Sequence, residues 1–424
     1  MKFLIPAVFL FFIQSLTAQT LNATLKNNRD SSVVAFAAIQ INETNSFTTS
    51  DENGEFNFTV PEEIANIHLN ISYVGCHDSI LYQTAKGNHQ IIYLQCDPTL
   101  LKDAVIEGLT AKDLVKKAIA LIPNNYPDSS YVSAAFIRQY ENVNGSFINL
   151  IEAKGWLLFT LNNRAKNNNW TEAFATENLR RSKYREIENF NEDDFSDVMF
   201  QNPVYHLQHS LLDLDGLKYF TYRYDTTSTD DNYTVLFQCN AFTTENHGVS
   251  NYTSIGLQEE GIESGKLIID KHTFAFIRIE RNAVIRNGFN YPKFNNFILP
   301  DKLYTAEFVE GNLTINYQQI NGKWYLLNIM HNYTNNYFKT QTHEKTYSIT
   351  KCFEYFLATP TRYINKDLFD KFNYNPELNT ASYNYNADDW SINVPPYFFY
   401  PYKEVWKDLE KSMSLEEQFI LNGK

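Results

Sequence analysis

The stretch from Val33 to Gly75 limits what this chain can fold into more than any other. Apolar residues alternate before a polar run (Ile39, Ile41) and after it (Phe56, Phe58, Val60). The run itself, Thr48-Thr49-Ser50-Asp51-Glu52-Asn53-Gly54, is made of turn formers. Period-two alternation on both sides of an Asn-Gly step predicts a hairpin. Further strand-like segments at Thr20–Leu25, Ala35–Asn42, Thr48–Ser50, Glu55–Val60, Ile67–Tyr73, Ser79–Gln83 and Gln90–Gln95 predict a seven-stranded β-sandwich over residues 19–98.

Residues 1–18, MKFLIPAVFLFFIQSLTA, place one lysine before an apolar run from Phe3 to Ile13, then small residues up to Ala18. That is the pattern of a cleavable signal peptide. The apolar run is short of the roughly 20 residues that span a bilayer, and no later stretch of the mature chain is apolar enough to do so. The expected product is exported and lies in the periplasm or at the outer membrane and cell surface. The formal charge is -13, which disfavours nucleic acid as a partner. The 28 tyrosines and 32 phenylalanines suit pleated sheets with a large buried area.

Four cysteines in 424 residues do not make a disulfide framework. Cys76 and Cys96 each end an apolar run, and in an oxidising compartment they can pair or remain as thiols. Cys239 and Cys352 are expected as free, buried thiols.

After a linker strand at 99–109, the second part, 110–424, opens with a helix. Thr110 with Asp113 forms a capping-box pattern, and Leu114, Val115, Ala118, Ile119 and Ile122 share one helical face. Long antiparallel strands follow in Ser146–Leu161, in Lys266–Arg286 around a turn at Asp270–His272, and in Leu303–Tyr333 with turns at Glu310–Asn312 and Asn321-Gly322. Phe200–Leu214 reads as helical, and Pro401–Asn422 as one closing helix. Trp390–Pro401, WSINVPPYFFYP, has adjacent prolines and cannot be a central strand. It is expected to lie as an extended strap across the sheet, or to form an exposed aromatic lip. The fold class is mainly β, a sandwich followed by an antiparallel meander with a few helices.

Val34–Ile39, Thr49–Phe56 and Ile71–Gly75 together resemble the carboxypeptidase-D regulatory-like domain, a transthyretin-like sandwich found at the N-termini of exported Bacteroidetes proteins. Leu100–Pro127 and Ala135–Gln139 resemble the region that follows it. The last of the three pieces is usually continued by Tyr where this chain has Cys76, a departure that suits a bridge to Cys96. Such modules are accessories and imply packing or binding, with no chemistry of their own. The meander is similar to the half-barrel of lipoprotein-carrier proteins, through Gly265–Asp270.

Catalytic signatures are missing from the sequence. No histidine opens His-x-x-Glu, and there is no His-Glu-x-x-His zinc motif. There is no Gly-x-Ser-x-Gly elbow and no Walker spacing in Gly261–Lys266. His206 and His209 would share a helical face with no third ligand. Asp51, Glu52, Asn53 and Glu55 read as turn residues rather than calcium ligands. Glu186, Glu188 and Glu192–Asp194 read as a solvated loop. A non-enzymatic envelope protein without metal or cofactor is therefore expected, a scaffold that binds a protein or glycan. The alternative is a carrier of lipid or another hydrophobic ligand on a face lined by Trp156, Phe159, Phe274, Phe276, Tyr304, Phe308 and Tyr325. Because strand side chains alternate, some of these must point elsewhere.

Overall fold

The alternation near the N-terminus becomes two packed sheets in the computed structural model. It describes residues 18–423 apart from 35–36, 42–45, 51–52, 62–65, 74–75, 85–88, 96–108, 163–168, 183–194, 208–209, 226–230, 240–260, 286–303, 362–365, 374–377, 379–380 and 391–393. The strands are β1 (Ala18–Asn27), β2 (Ala38–Ile41), β3 (Ser46–Thr49), β4 (Glu55–Pro61), β5 (Asn66–Tyr73), β6 (Cys76–Thr84) and β7 (Gln90–Leu94). They form a three-stranded sheet, β4-β1-β7, and a four-stranded sheet, β3-β2-β5-β6. Leu21, Ala23, Leu25 and Phe56 from the first meet Ile39, Leu69 and Ile71 from the second in one core.

The expected hairpin is not formed. β3 pairs with β2 and β4 with β1, so the Asn53-Gly54 step carries the chain from one sheet to the other. Alternation specifies strands, but not which sheet each joins. Gly54 has φ +73°, and a Cβ there would stand 2.8 Å from the Leu25 carbonyl oxygen. Cys96 and the turn residues Asp51 and Glu52 lie outside the described residues, as does the side chain of Cys76.

Helices α1 (Ala111–Ala120) and α2 (Ile122–Asn125) precede a ten-stranded sheet. Thr110 Oγ1 caps α1 by accepting from Asp113 N at 3.2 Å. The strands are β8 (Tyr131–Val143), β9 (Ser146–Asn162), β10 (Asn169–Arg181), β11 (Phe220–Tyr224), β12 (Asn232–Cys239), β13 (Gly261–Asp270), β14 (Phe276–Ile285), β15 (Tyr304–Ile320), β16 (Lys323–Lys339) and β17 (Lys345–Leu357). Their order is β10-β9-β8-β17-β16-β15-β14-β13-β12-β11, antiparallel throughout. Two meanders therefore meet at a β17–β8 seam, and the two edge strands, β10 and β11, are consecutive in the chain. The connection between them includes α3 (Phe195–Met199) and must cross the width of the sheet. With ten strands spaced about 4.8 Å apart, that is roughly 43 Å.

Turns follow local chemistry where the chemistry is specific. Asn321 and Gly322 both have positive φ, the requirement of a two-residue turn between paired strands. Asp270 Oδ1 accepts from Thr273 N at 2.6 Å and joins β13 to β14. Gly311 makes no turn. β15 runs through it with a bulge between Phe308 and Glu310. Residues 200–207 and 210–214 are turns rather than a helix. The closing helix is two, α5 (Tyr402–Leu409) and α6 (Leu415–Asn422), because Ser414 and Glu417 form a capping box that starts a new helix. A short α4 (Lys366–Phe369) precedes them. Among the described residues, no helix is long and apolar enough to cross a membrane.

The two faces of the large sheet are both covered. The inner face packs under α1, α2 and the β10–β11 connection. The outer face carries Phe136, Tyr140, Met330, Cys352 and Phe356 under the C-terminal segment. Cross-strand register on that outer face sets Arg180 opposite Glu152, Glu152 opposite Arg138, and Arg138 opposite Glu354. The result is a row of alternating charge over β10, β9, β8 and β17.

Arg138 Nε donates to Glu152 Oε1 at 2.7 Å and Nη1 to Glu354 Oε2 at 2.8 Å, while Arg180 Nε donates to Glu152 Oε2 at 2.7 Å. Arg138, Glu152 and Glu354 are fully buried. The segment 394–400 closes over them as the expected strap. Arg138 donates to the Pro395 carbonyl at 2.7 Å and the Pro396 carbonyl at 3.1 Å. Glu354 Oε1 accepts from Tyr140 Oη at 2.7 Å and Phe398 N at 2.8 Å. The prolines have no N–H to satisfy, so this strap can turn carbonyls inward at no cost in orphaned donors. Beside the row, burial, and then Arg180, lowers the Lys154 ammonium to about 8.

Removing one member of such a row leaves a buried charge without its partner. Arg138→Met is expected to cost about 3–5 kcal/mol in urea unfolding, whereas Lys339→Ala, which breaks an exposed pair with Glu344, should leave stability essentially unchanged. Burial would raise the Glu152 carboxyl, but Arg180 and Arg138 outweigh it and hold the group below its ordinary 4.5. A lowered folded pKa stabilises above the unfolded value, and that contribution disappears as pH falls through the folded one. The urea midpoint should therefore fall as pH drops below about 4.5, less steeply in Glu152→Gln.

Candidate functional site

The inner face is apolar because odd-numbered residues of β8, among them Tyr131, Ala135 and Ile137, point toward the cover along with Phe159, Phe276, Ile315, Leu326 and Tyr355. The cover contributes Leu114, Val115, Ala118 and Ile119 from α1, Tyr126 from just beyond α2, and Val198, Met199, Val204, Tyr205, Leu211 and Leu212 from the connection. Aromatic packing ties the two together. Tyr131 stacks on Phe159 with ring centroids 4.5 Å apart, and Trp170 stacks on Tyr205 at 5.0 Å.

Tyrosine hydroxyls bond the cover to the sheet. Tyr131 Oη and Tyr205 Oη lie 2.6 Å apart, Tyr126 Oη donates to the Phe276 carbonyl at 2.5 Å, and Tyr317 Oη donates to Asn202 Oδ1 at 2.6 Å. Burial pushes the phenols of Tyr126, Tyr131, Tyr205 and Tyr317 up, so all four stay neutral at ordinary pH. His206 is buried rather than displayed on a helix. Its Nε2 is 3.1 Å from Glu172 Oε1, and its ring stacks on Phe200 at 4.6 Å. His209 and the acidic stretch 186–194 lie outside the described residues.

Among the described residues, several polar atoms in this interior have no hydrogen-bond partner. They include Ser133 Oγ, Asn202 Nδ2, Tyr222 Oη, Trp324 Nε1, Glu263 Oε2 and Arg281 Nη2. Ser133, Asn202, Trp324 and Glu263 are all more than nine-tenths buried. Native proteins leave few such groups, and each one calls for an explanation.

Of the ligand-lining residues expected from sequence, the structure brings Phe159, Phe276, Phe274, Phe308 and Tyr325 to the inner face. Phe159 and Phe276 are fully enclosed there. Phe274 sits at the β13–β14 turn with φ +60° and Lys117 Nζ 3.6 Å from its ring centre. Trp156 lies on the outer face with Val132, Leu158 and Ala173, because it is three residues from Phe159 and alternation reverses its direction. Tyr304 begins β15, and its side chain is not among those described. The sequence reading missed Ser133, Asn202, Glu263 and Arg281. The unusual signal was the placing of Glu263 and Arg281 within otherwise apolar alternations.

No family model matches the chain, and no curated protein matches it. Among solved structures, a LolA superfamily protein from Nitrosomonas europaea matches over 62% of this chain and 98% of its own, with 11% identity and a TM-score of 0.21. A TM-score so low says nothing about what this chain binds.

Cys239 and Cys352 are free and buried, as expected. Burial, then Glu263, pushes the Cys239 thiol up to about 12, and burial raises Cys352 as well. Since the thiolate is the reacting form, iodoacetamide at pH 8 should leave both unmodified in the folded protein and alkylate both in urea. Peptide mass mapping reads the outcome.

Proposed function

We propose that this chain is an exported, non-enzymatic binding protein that holds a hydrophobic or amphiphilic molecule between its ten-stranded sheet and the cover. The observation that supports this most is the set of unpartnered, deeply buried polar atoms within an otherwise apolar interior. Small-molecule sites have that composition: mostly apolar and aromatic walls with a few convergent polar groups that fix orientation. The cover meets the sheet through a few neutral tyrosine hydroxyls and stacked rings, together with the His206–Glu172 contact. The strong charge row lies on the other face, where it keeps the sheet intact while the cover moves.

A second reading, a scaffold for a protein or glycan, is favoured by the sandwich. Strand β7 is an edge, and it presents Ile91 and Tyr93, each about half exposed. Unpaired edges of this kind can accept an added strand.

Native mass spectrometry of the protein, taken from its own envelope without detergent, separates the two. The carrier reading expects a reproducible added mass that dissociates as a lipid-like molecule. Ser133→Leu, which fills the interior, should lose that mass while keeping a cooperative thermal transition. Trp156→Ala, on the opposite face, should keep it. A protein that is bare in all three forms overturns the carrier reading and favours the scaffold.

A further inference from the structure

At one end of the inner face, apolar strands carry an ion pair that the core does not need. Glu263 on β13 is fully buried, and Arg281 on β14 is 5% exposed. Arg281 Nε is 2.8 Å and Nη2 2.6 Å from the same carboxylate oxygen, Glu263 Oε1. Among the described residues, Glu263 Oε2 and Arg281 Nη2 have no hydrogen-bond partner of good geometry. Two strands away, the hydroxyl of Tyr222 is also buried and unpartnered.

Register brings these groups together. Arg281 lies opposite Gly265, Gly265 opposite Phe237, and Phe237 opposite Tyr222, while Glu263 lies opposite Cys239. Gly265 is required at the centre of this row, since a Cβ there would collide with the Glu280 carbonyl oxygen and lie 2.8 Å from the Phe237 ring. Burial raises the Tyr222 phenol, and the nearby Cys239 and Glu263 raise it further, so it remains a neutral hydroxyl beside a carboxylate.

A purely structural pair would use both carboxylate oxygens, since an unmet charged acceptor in the interior costs more than it returns. Here one oxygen takes the arginine and the other is left over, on the same face as a hydroxyl two strands away that can both donate and accept. Resting on the carrier reading above, we propose that Glu263, Arg281 and Tyr222 form a head-group site for an uncharged, hydroxyl-bearing amphiphile, with its chain lying along the apolar inner face. The ligand hydroxyl donates to Glu263 Oε2 and exchanges a hydrogen bond with Tyr222 Oη. A carboxylate-headed amphiphile is disfavoured, because Glu263 repels it and holds the Arg281 Nε.

The experiment is isothermal titration of the delipidated full-length protein with two lipids of equal chain length, monolauroylglycerol and laurate. The wild type is expected to prefer monolauroylglycerol by roughly tenfold, the worth of one hydrogen bond to a charged group. Tyr222→Phe should weaken monolauroylglycerol about fivefold, as for one neutral hydrogen bond, and leave laurate unchanged. Glu263→Gln frees Arg281 for the anionic head and should abolish or reverse the preference. Equal binding of both lipids in all three proteins overturns the head-group site alone and makes the leftover acceptor a place for buried water. Failure of the wild type to bind either lipid overturns the carrier reading and this site with it.

Discussion

The row Arg180, Glu152, Arg138, Glu354 is the interaction on which the rest of this architecture depends. It ties together four strands drawn from two separate meanders, and Arg138–Glu354 spans the pairing of β8 with β17 that joins them. Buried ion pairs add little net stability compared with an apolar core, because desolvation consumes most of the attraction. They are intolerant of misalignment, however. A one-residue slip along β8 would put Arg138 on the inner, apolar face, leaving Glu354 without its arginine and Glu152 with Arg180 alone. The row thus specifies register, and the proline carbonyls of the strap complete its shell of acceptors.

The outer side is tied by charges, and the inner side is held differently. Its cover is a short helix pair and an irregular crossing segment held by stacked rings and single hydroxyl contacts. The two faces therefore differ: a four-residue charge row and the strap lie on one side, and aromatic contacts with the isolated His206–Glu172 and Glu263–Arg281 pairs lie on the other. Unmet polar atoms occur on the inner side at Ser133, Asn202, Trp324, Tyr222, Glu263 and Arg281, and on the outer side at Asn328.

Much of this fold could be read directly from the residues. The seven strands of the sandwich, the Thr110 cap, the Asn321-Gly322 turn and the strap all follow from signals confined to a few neighbouring positions. What could not be read depends on partners distant in sequence. The Asn53-Gly54 step has the chemistry of a hairpin, yet its flanking strands join different sheets. Gly311 resembles a turn residue but lies within β15. Trp156 and Phe159 are both aromatic candidates for one face, and their spacing of three sends them to opposite faces. Glu152 and Glu354 look like ordinary surface charges until register puts Arg138 between them, and the same is true of Glu263 and Arg281.

The seam between β17 and β8 has a consequence for synthesis and transport. Arg138 and Glu354 are 216 residues apart, and the strap that encloses them lies further on still. A chain emerging in order from its N-terminus holds β8, β9 and β10 long before their partner exists. Contacts between such distant positions are slow to form, so Arg138 and Glu152 remain hydrated until the last tenth of the polypeptide arrives. Closure of the large sheet is therefore a late event, and a chain cut short before the strap would keep these charges in water.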